Sequence, residues 1–294
     1  MTGTLRKPLP HLVAIALLGA AHAQTPAPRE VPTLAELADR VERAHRPDEQ
    51  AATPTQFACN LELHLIDKTA EQGGQVDMNV KFMLWKQPGK DKVRKLIRYE
   101  VRDAEQPIMR GRDENGPWQL HRGEARDLYG ADFTDQDRKT FAQHTNLARQ
   151  LLRFLSPADV IRSLRNAGLV QQEELPIKRV PTACYTIEGR LDSFPLMQQG
   201  GEDAPVHLKI WVRADDGHLA CVEATPLVDG APATTRGERI VLADLRERDG
   251  RLVPCEITHL FRDQRGALRP VTRVKLTTVE LAPGLQAADF ARKQ

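Results

Sequence analysis

Apolar and polar residues alternate along three segments in the first third of the chain, a pattern typical of half-buried β-strands. The apolar members of the first two segments are Phe57, Cys59, Leu61, Leu63, Leu65, Val76, Met78, Val80, Phe82 and Leu84. Those of the third segment are Val93, Ile97, Tyr99 and Val101. The turns between the segments contain Gly73-Gly74 and Pro88-Gly89-Lys90. These features predict three consecutive antiparallel strands.

Weaker alternation predicts further strands along most of the remaining chain. Two lie near residues 108–111 and 118–121, and six more lie at 183–191, 206–213, 218–224, 239–246, 251–261 and 271–281. About eleven strands are more than an open, strongly twisted sheet holds without curling. The sequence therefore predicts an α+β fold, mainly antiparallel β, whose sheet curls into an incomplete β-barrel with an apolar concave face.

An amphipathic helix precedes the first strand. Thr33 and Glu36 have the spacing of a capping box, and Pro47 marks the end of the helical pattern. One apolar stripe runs along it, formed by Leu34, Leu37, Ala38, Val41 and Ala44. This stripe predicts an N-terminal helix that packs on the sheet.

A second helical block interrupts the strands at about residues 134–168. Thr134 and Asp137 can cap its first helix, Pro157 suits the first position of a second helix, and Gly168 suits its end. We expect this helical insertion and the N-terminal helix to cover the concave face. Incomplete cover would leave an apolar cavity.

Residues 1–23 have the composition of a cleaved secretory signal. Arg6 and Lys7 precede an apolar run at 12–21, and Ala21-His22-Ala23 has the small residues of a cleavage site. This run is shorter than the roughly 20 residues that span a bilayer. We therefore expect a periplasmic protein without a lipid anchor, with a linker at 24–32 and a single domain at 33–294.

Charge and aromatic content argue against a nucleic-acid-binding protein. The formal net charge is +2, and removal of residues 1–23 leaves 40 basic and 40 acidic residues. Aromatic residues make up only 5% of the chain. A basic excess and a platform for stacking bases are therefore both missing.

Motifs for nucleotide, metal or nucleophile chemistry are also missing from the sequence. The histidines after residue 23 are scattered, with no two of them three or four positions apart. We therefore expect no enzymatic activity, no cofactor and no metal site. A hydrolytic or isomerising enzyme that uses scattered Asp and His side chains remains an alternative, because catalytic groups can meet in space.

Four cysteines, Cys59, Cys184, Cys221 and Cys255, each lie within an apolar run that resembles a strand. Export would allow two disulfides, whereas burial as small apolar side chains is the other interpretation. Cys184 and Cys221 would lie two strands apart in a simple meander, about 10 Å, which is too far for a disulfide.

Two groups of residues are candidates for ligand contact. Eight residues of the predicted concave face line a cavity or form the core: Leu61, Leu63, Met78, Val80, Phe82, Ile97, Tyr99 and Trp118. Four basic residues near the second turn contact an acidic headgroup or partner, or form a solvated face: Lys86, Lys90, Lys92 and Arg94.

The order of these parts resembles the LolA/LolB-like superfamily of periplasmic lipoprotein and lipid carriers. The resemblance covers most of residues 33–290 and includes the export signal, the N-terminal helix and a helical segment in mid-chain. Its short motifs are "KQPGKDKVR" at 86–94, "DENGPWQL" at 113–120 and "VELAPGLQAADF" at 279–290.

The resemblance implies an incomplete barrel closed by helices, with an apolar cavity for acyl chains and no covalent chemistry. In that family an arginine in the cavity is important to the ligand cycle, but the apolar positions of the first strands contain no arginine here. We therefore predict a monomeric carrier for lipid or a lipid-modified protein, with a membrane protein as a further partner. The alternative is a periplasmic sensor or scaffold that binds a protein through its sheet face or edge; an open cavity would favour the carrier and a filled interior the scaffold.

Overall fold

One antiparallel sheet of fourteen strands forms most of the computed structural model. The structure describes residues 30–66, 75–87, 94–101, 108–113, 115–121, 123–177, 179–197, 203–234, 236–263 and 265–292. The helices are α1 Leu34–His45, α2 Asp135–Phe154, α3 Pro157–Arg162 and α4 Ala287–Phe290. The strands are β1 Gln56–Ile66, β2 Gln75–Gln87, β3 Arg94–Val101, β4 Ile108–Asp113, β5 Gly116–His121, β6 Glu124–Asp127, β7 Gln171–Ile177, β8 Val180–Phe194, β9 Ala204–Arg213, β10 Leu219–Val228, β11 Ala231–Pro232, β12 Glu238–Arg248, β13 Arg251–Arg262 and β14 Leu268–Leu281.

The strand order is β6-β5-β4-β3-β2-β1-β14-β13-β12-β10-β9-β8-β7, and β11 pairs only with β10. Most neighbours are consecutive in the chain, and the pairing of β1 with β14 joins the two ends of the domain. Within the described residues, β6 and β7 end this order, so the sheet is not closed. The predicted incomplete barrel is therefore confirmed.

The structure contains more strands than the eleven that hydrophobic alternation predicts. The additional ones are β6, β7 and β11. None of the residues in β6 or β11 is buried, and β7 buries only Leu175. A strand that buries almost nothing has no reason to alternate apolar with polar residues, so the sequence pattern does not reveal it.

Three helices pack on one face of the sheet, which we call the inner face. Leu37, Ala38 and Val41 of α1 and Leu147 and Leu151 of α2 belong to the same buried core as the inner-face side chains. The predicted capping box is present at the start of α1, and Thr134 and Asp137, which were predicted to cap α2, form a second one. The N-terminal helix and the helical insertion therefore cover the inner face as expected.

The second helix of the insertion begins at Pro157, as predicted, but it ends at Arg162 rather than near Gly168. After the helix the chain joins the sheet, because Arg165 and Arg190 exchange backbone hydrogen bonds of 2.8 Å. The Gly168 N–H then donates to the Glu188 carbonyl at 2.9 Å. Pairing with β8 thus replaces the last predicted helical turn.

The opposite, outer face of β1–β5 is covered by residues 285–292, which we call the C-terminal clamp. The Phe290 side chain is fully buried beside Met83, Leu96 and Trp85. The Trp118 indole N–H donates to the Phe290 carbonyl at 3.2 Å, and Arg98 donates to the Asp289 carbonyl at 3.0 Å. The sheet is therefore buried on both sides in this region.

All four cysteines are buried free thiols. Cys59 and Cys255 lie in the main core, whereas Cys184 and Cys221 flank Trp211 in a small cluster on the outer face. Strand β9 separates β8 from β10, so Cys184 and Cys221 are two strands apart as predicted. The structure therefore supports the interpretation of buried apolar side chains.

The predicted signal peptide lies outside the described residues, as do most of the linker and the turns at 73–74 and 88–90. In the part of the chain that is described, no helix has the length and apolar character needed to cross a membrane.

Candidate ligand-binding site

Seven of the eight residues predicted to line a cavity share the inner face. They are Leu61, Leu63, Met78, Val80, Phe82, Ile97 and Tyr99. The register explains this grouping, since Leu61 pairs with Val80 and Phe82 pairs with Tyr99. Strict alternation along β1, β2 and β3 thus places these predicted residues together.

Trp118 does not belong with the other seven, and its placement corrects the sequence interpretation. It pairs with Gly111, which pairs with Arg98, so all three lie in one row across the outer face. The indole ring covers Gly111 so closely that a Cβ there would lie 2.5 Å from the ring. Trp118 is therefore part of the contact with the C-terminal clamp.

Helix α2 lies over the inner face, and aromatic rings form part of the contact between them. The His144 ring packs edge-on against Tyr99, with 4.8 Å between ring centroids, and against Phe82 at 6.2 Å. Phe141 stacks on Tyr99 at 6.0 Å. Burial and the positive charge of Arg110 lower the pKa of His144 to about 4, so this side chain is neutral at neutral pH.

Arg110 of β4 holds the first turn of α2 against the inner face. Its guanidinium donates to the Asp137 carboxylate at 2.7 Å and to the Tyr99 hydroxyl at 3.3 Å, and it also binds the Gln119 amide oxygen. Hydrogen bonds from Thr134, together with the Arg110 guanidinium, lower the pKa of Asp137. The ion pair is therefore formed at neutral pH.

Arg110 is a functional candidate that sequence reasoning missed. It is only 5% exposed, and its pairing with Tyr99 places it on the inner face. The predicted fourth strand was too short for its alternation to show which residues face inward. The sequence pattern therefore does not identify Arg110, which lies between Met109 and Gly111, as an inner-face residue.

A second polar contact anchors the later part of α2. The Gln150 amide donates to the Pro195 carbonyl at 2.6 Å and to the Glu238 carboxylate at 2.5 Å. His259 Nε2 lies 2.9 Å from the Gln150 amide oxygen, and Asn146 donates to the Leu196 carbonyl at 2.8 Å. Helix α2 thus binds the sheet and residues 195–197 through polar side chains as well as apolar ones.

The interior beneath α2 is closed in this structure. Six of the seven inner-face residues are at most 1% exposed, and the seventh, Met78, is partly buried against the same core. A ligand on this surface would therefore require α2 to move away from the sheet. The polar contacts of α2 suit such a movement, because water can replace them when the helix separates.

Of the four predicted basic contact residues, Lys86 is the one whose side chain the structure describes. It is half-buried at the end of β2, on the same face as Phe82 and Leu84. Lys90 and Lys92 lie outside the described residues, and Arg94 begins β3 but its side chain is also outside them. Lys86 is thus placed at the rim of the inner face, not on a solvated strand surface.

Metal chemistry has no support in the described part of the chain, where no three His, Cys, Asp or Glu side chains are close enough to hold an ion. The buried histidines His144 and His259 each contact neutral groups of α2 or the sheet.

An incomplete barrel with helices over its inner face is the LolA-like arrangement that the resemblance implied. No protein-family model matches the chain, nor does any curated protein. Solved structures do match. A DUF1329 family protein from Desulfovibrio piger is 15% identical at a TM-score of 0.49, over 88% of this chain and 95% of that one.

Two further solved structures match similar shares of this chain and of their own. A LolA superfamily protein from Nitrosomonas europaea is 11% identical at a TM-score of 0.41, over 88% of this chain and 98% of that one. A putative outer membrane lipoprotein-sorting protein domain from Vibrio parahaemolyticus is 12% identical at a TM-score of 0.39, over 88% of this chain and 95% of that one. At this level of similarity, neither an activity nor a ligand is carried over to this chain.

Proposed function

We propose that this protein binds the acyl chains of a lipid or of a lipid-modified protein and carries them through the periplasm. The acyl chains would lie between α2 and the inner face of β1–β3. Burial of each methylene contributes roughly 0.8 kcal/mol, so a single long chain supplies enough free energy for reversible binding. The proposal includes export with cleavage after Ala23, action as a monomer, and no catalytic activity or cofactor.

The observation that carries this proposal is the composition of the contact between α2 and the sheet. The inner face of β1–β3 is apolar, whereas the helix side includes His144, Asn146 and Gln150, all buried. A helix whose role is only to complete a core would be expected to bury apolar residues at these positions. Polar groups at the contact lower the cost of separating α2 from the sheet, and the apolar surface then becomes available to a ligand.

Arg110 offers a direct test of this opening. Arg110→Met removes the ion pair with Asp137 while retaining an unbranched side chain at the site. In the closed position the Asp137 carboxylate then lacks its partner, whereas water satisfies it once α2 separates, so the closed position becomes less favourable. A fluorescent palmitate probe should therefore enter roughly tenfold faster than in the wild type, as measured by stopped-flow fluorescence. Arg112→Met is the matched control, since Arg112 lies two residues further along β4 and is exposed.

The same probe also distinguishes the carrier from the alternative function. Equal uptake rates in Arg110→Met and the wild type would contradict opening at α2. Absence of probe binding in both, together with absence of lipid in protein purified from the periplasm, would overturn the carrier proposal. The closed interior favours one alternative, a sensor or scaffold that binds a protein through an open sheet edge, β6 or β7.

A further inference from the structure

Two histidines lie at the contact between α2 and the sheet, one on each side of it, and both are buried. His144 belongs to α2, and its ring packs against Phe82 and Tyr99 of the inner face. His259 belongs to β13, and its Nε2 lies 2.9 Å from the amide oxygen of Gln150 on α2. Helix α2 therefore meets the sheet through a buried imidazole at two separate points.

Neither imidazole has a place for a second N–H group. Among the residues that the structure describes, Nδ1 of His144 and Nδ1 of His259 have no hydrogen-bond partner. The Gln150 amide nitrogen donates to two other oxygens, so its own oxygen is the acceptor that faces His259, and Nε2 carries the proton. A charged imidazole has a hydrogen on both nitrogens, so protonation in the closed position would bury a donor that lacks an acceptor.

The sheet side chains around His144 offer it no negative charge. Phe82, Tyr99 and Arg110 are paired in one row across β2, β3 and β4. Burial raises the pKa of Tyr99, so this side chain stays neutral, whereas the Arg110 guanidinium is always charged. The Asp137 carboxylate of α2 is paired with that guanidinium at 2.7 Å. Burial first, and the charge of Arg110 second, therefore oppose a proton on His144 and lower its pKa.

The surroundings of His259 are similar in effect. Its neighbours in the sheet are Ile240 of β12 and Thr272 of β14, neither of which titrates. The Glu238 carboxylate lies beyond the Gln150 amide, whose nitrogen donates to it. Burial alone lowers the pKa of His259 to about 4. Both histidines are therefore neutral while α2 is closed at neutral pH.

Separation of α2 from the sheet would expose both imidazoles to water. In water an imidazole has its ordinary pKa of 6.5, whereas the pKa of each histidine is about 4 in the closed structure. Between these values the open state binds protons that the closed state does not, so a falling pH shifts the balance towards opening. Above pH 6.5 neither state binds these protons, and the closed position keeps its full stability.

We propose that His144 and His259 make α2 an acid-opened cover over the inner face, so that ligand enters and leaves faster as the pH falls. This inference rests on the proposed carrier function and adds its regulation. Between about pH 7 and about pH 5, each histidine should favour opening roughly tenfold, and the two together roughly a hundredfold.

Opening can be measured without a ligand through the native thiols. Cys59 pairs with Phe82 and lies in the inner-face core, whereas Cys221 is buried on the outer face. A dithiodipyridine reagent modifies exposed thiols, and mass spectrometry resolves the rate at each cysteine. Division by the rate in urea-unfolded protein at the same pH removes the pH dependence of the thiol itself. In the wild type, protection of Cys59 should fall roughly a hundredfold between about pH 7 and about pH 5.

Cys221 shows whether the opening is local. It should stay better protected than Cys59 at both pH values, because only unfolding of the sheet exposes it. Equal protection of the two thiols at about pH 5 would mean that acid unfolds the whole domain, which would overturn the proposal.

Variants connect the response to the two histidines. His144→Gln and His259→Gln should each reduce the pH response of Cys59 to roughly tenfold, and the double variant should abolish it. His45→Gln is the matched control, since burial also lowers the pKa of His45 to about 4, but this side chain belongs to α1 and bonds the Leu219 N–H. It should keep the full response. An equal response in the double variant and the wild type would contradict the acid-opened cover.

Uptake of an acyl probe then tests the link to the carrier function. A pyrene-labelled monoacylglycerol has no group that titrates in this range, so its charge is constant. Its rate of uptake, followed by stopped-flow fluorescence, should rise with acid in the wild type and not in the double histidine variant. Uptake that is independent of pH would overturn the acid-opened cover and leave the carrier standing. Acid exposure of Cys59 without uptake at either pH would instead overturn the carrier and leave the movement of α2 in place.

Discussion

The inner and outer faces of β1–β5 are both covered, but the two covers are held in different ways. On the outer face, the C-terminal clamp inserts one fully buried ring, Phe290, and its backbone carbonyls accept hydrogen bonds from Trp118 and Arg98. On the inner face, α2 is held by side chains, including an ion pair from Arg110 and a buried, titratable His144.

This difference indicates which cover can move. Arg292 of the clamp also pairs with Asp113 at 3.1 Å, but the fully buried Phe290 side chain has no polar atom that water could satisfy after separation, so the clamp is expected to remain in place. Helix α2 carries polar groups that water can satisfy after separation. We therefore interpret the clamp as a structural element and α2 as the movable one.

Disruption of the clamp should cause the largest loss of stability. Phe290→Ala removes a fully buried ring and leaves a cavity beside Met83 and Trp85, which should lower the free energy of unfolding by roughly 3–5 kcal/mol. Urea unfolding followed by tryptophan fluorescence measures this. Tyr129→Ala is the control, since Tyr129 is 64% exposed, and it should cost less than about 1 kcal/mol. A loss that small in Phe290→Ala would contradict the structural role of the clamp.

Helix α2 should instead respond to pH. The pKa of His144 is lowered from 6.5 to about 4, so the unfolded state binds the additional proton between these values. Its contribution to stability is therefore complete above pH 6.5 and is lost as the pH falls towards 4. Between about pH 7 and about pH 5, the wild type should lose roughly 2 kcal/mol more than His144→Gln, measured by urea unfolding.

Two other buried histidines contribute to the acid sensitivity of both the wild type and the variant. Burial and the positive charge of nearby His218 lower the pKa of His45 to about 4, and burial alone does so for His259. Both remain in His144→Gln, so the variant keeps part of the acid sensitivity. His207→Gln, at a side chain that is 34% exposed, should match the wild type. An equal loss in His144→Gln and the wild type would show that His144 is not buried in solution.

A smaller effect is expected from the packing of the sheet beneath the clamp. Gly111→Ala would place its Cβ within 2.5 to 2.7 Å of the Trp118 ring, so the ring has to shift and stability should fall by roughly 1–3 kcal/mol. Gly168→Ala is the matched control, because its Cβ would approach only the Glu188 carbonyl, at 3.9 Å. Equal stability of the two variants would mean that the ring does not rest on Gly111.

Trp118 and Arg110 show what the sequence could and could not predict in this region. Both lie in six-residue strands, and alternation in such strands identifies which positions share a face without identifying the inner one. The apolar Trp118 was expected to face inward and lies outward, whereas the charged Arg110 lies inward. The register with β3 decides both positions, since Tyr99 pairs with Arg110 and Arg98 pairs with Gly111.

The local elements follow from the sequence alone, because capping residues, period-two alternation and turn residues act within a few positions of each other. The seven apolar inner-face residues of β1–β3 and the starts of α1, α2 and α3 are of this kind. The contacts that hold the two covers in place join distant parts of the chain: Arg110 with Asp137, Gln150 with Glu238, and Trp118 with Phe290. Only the pairing of strands and the packing of helices determine these contacts, since they depend on which surfaces become neighbours when the apolar faces are buried.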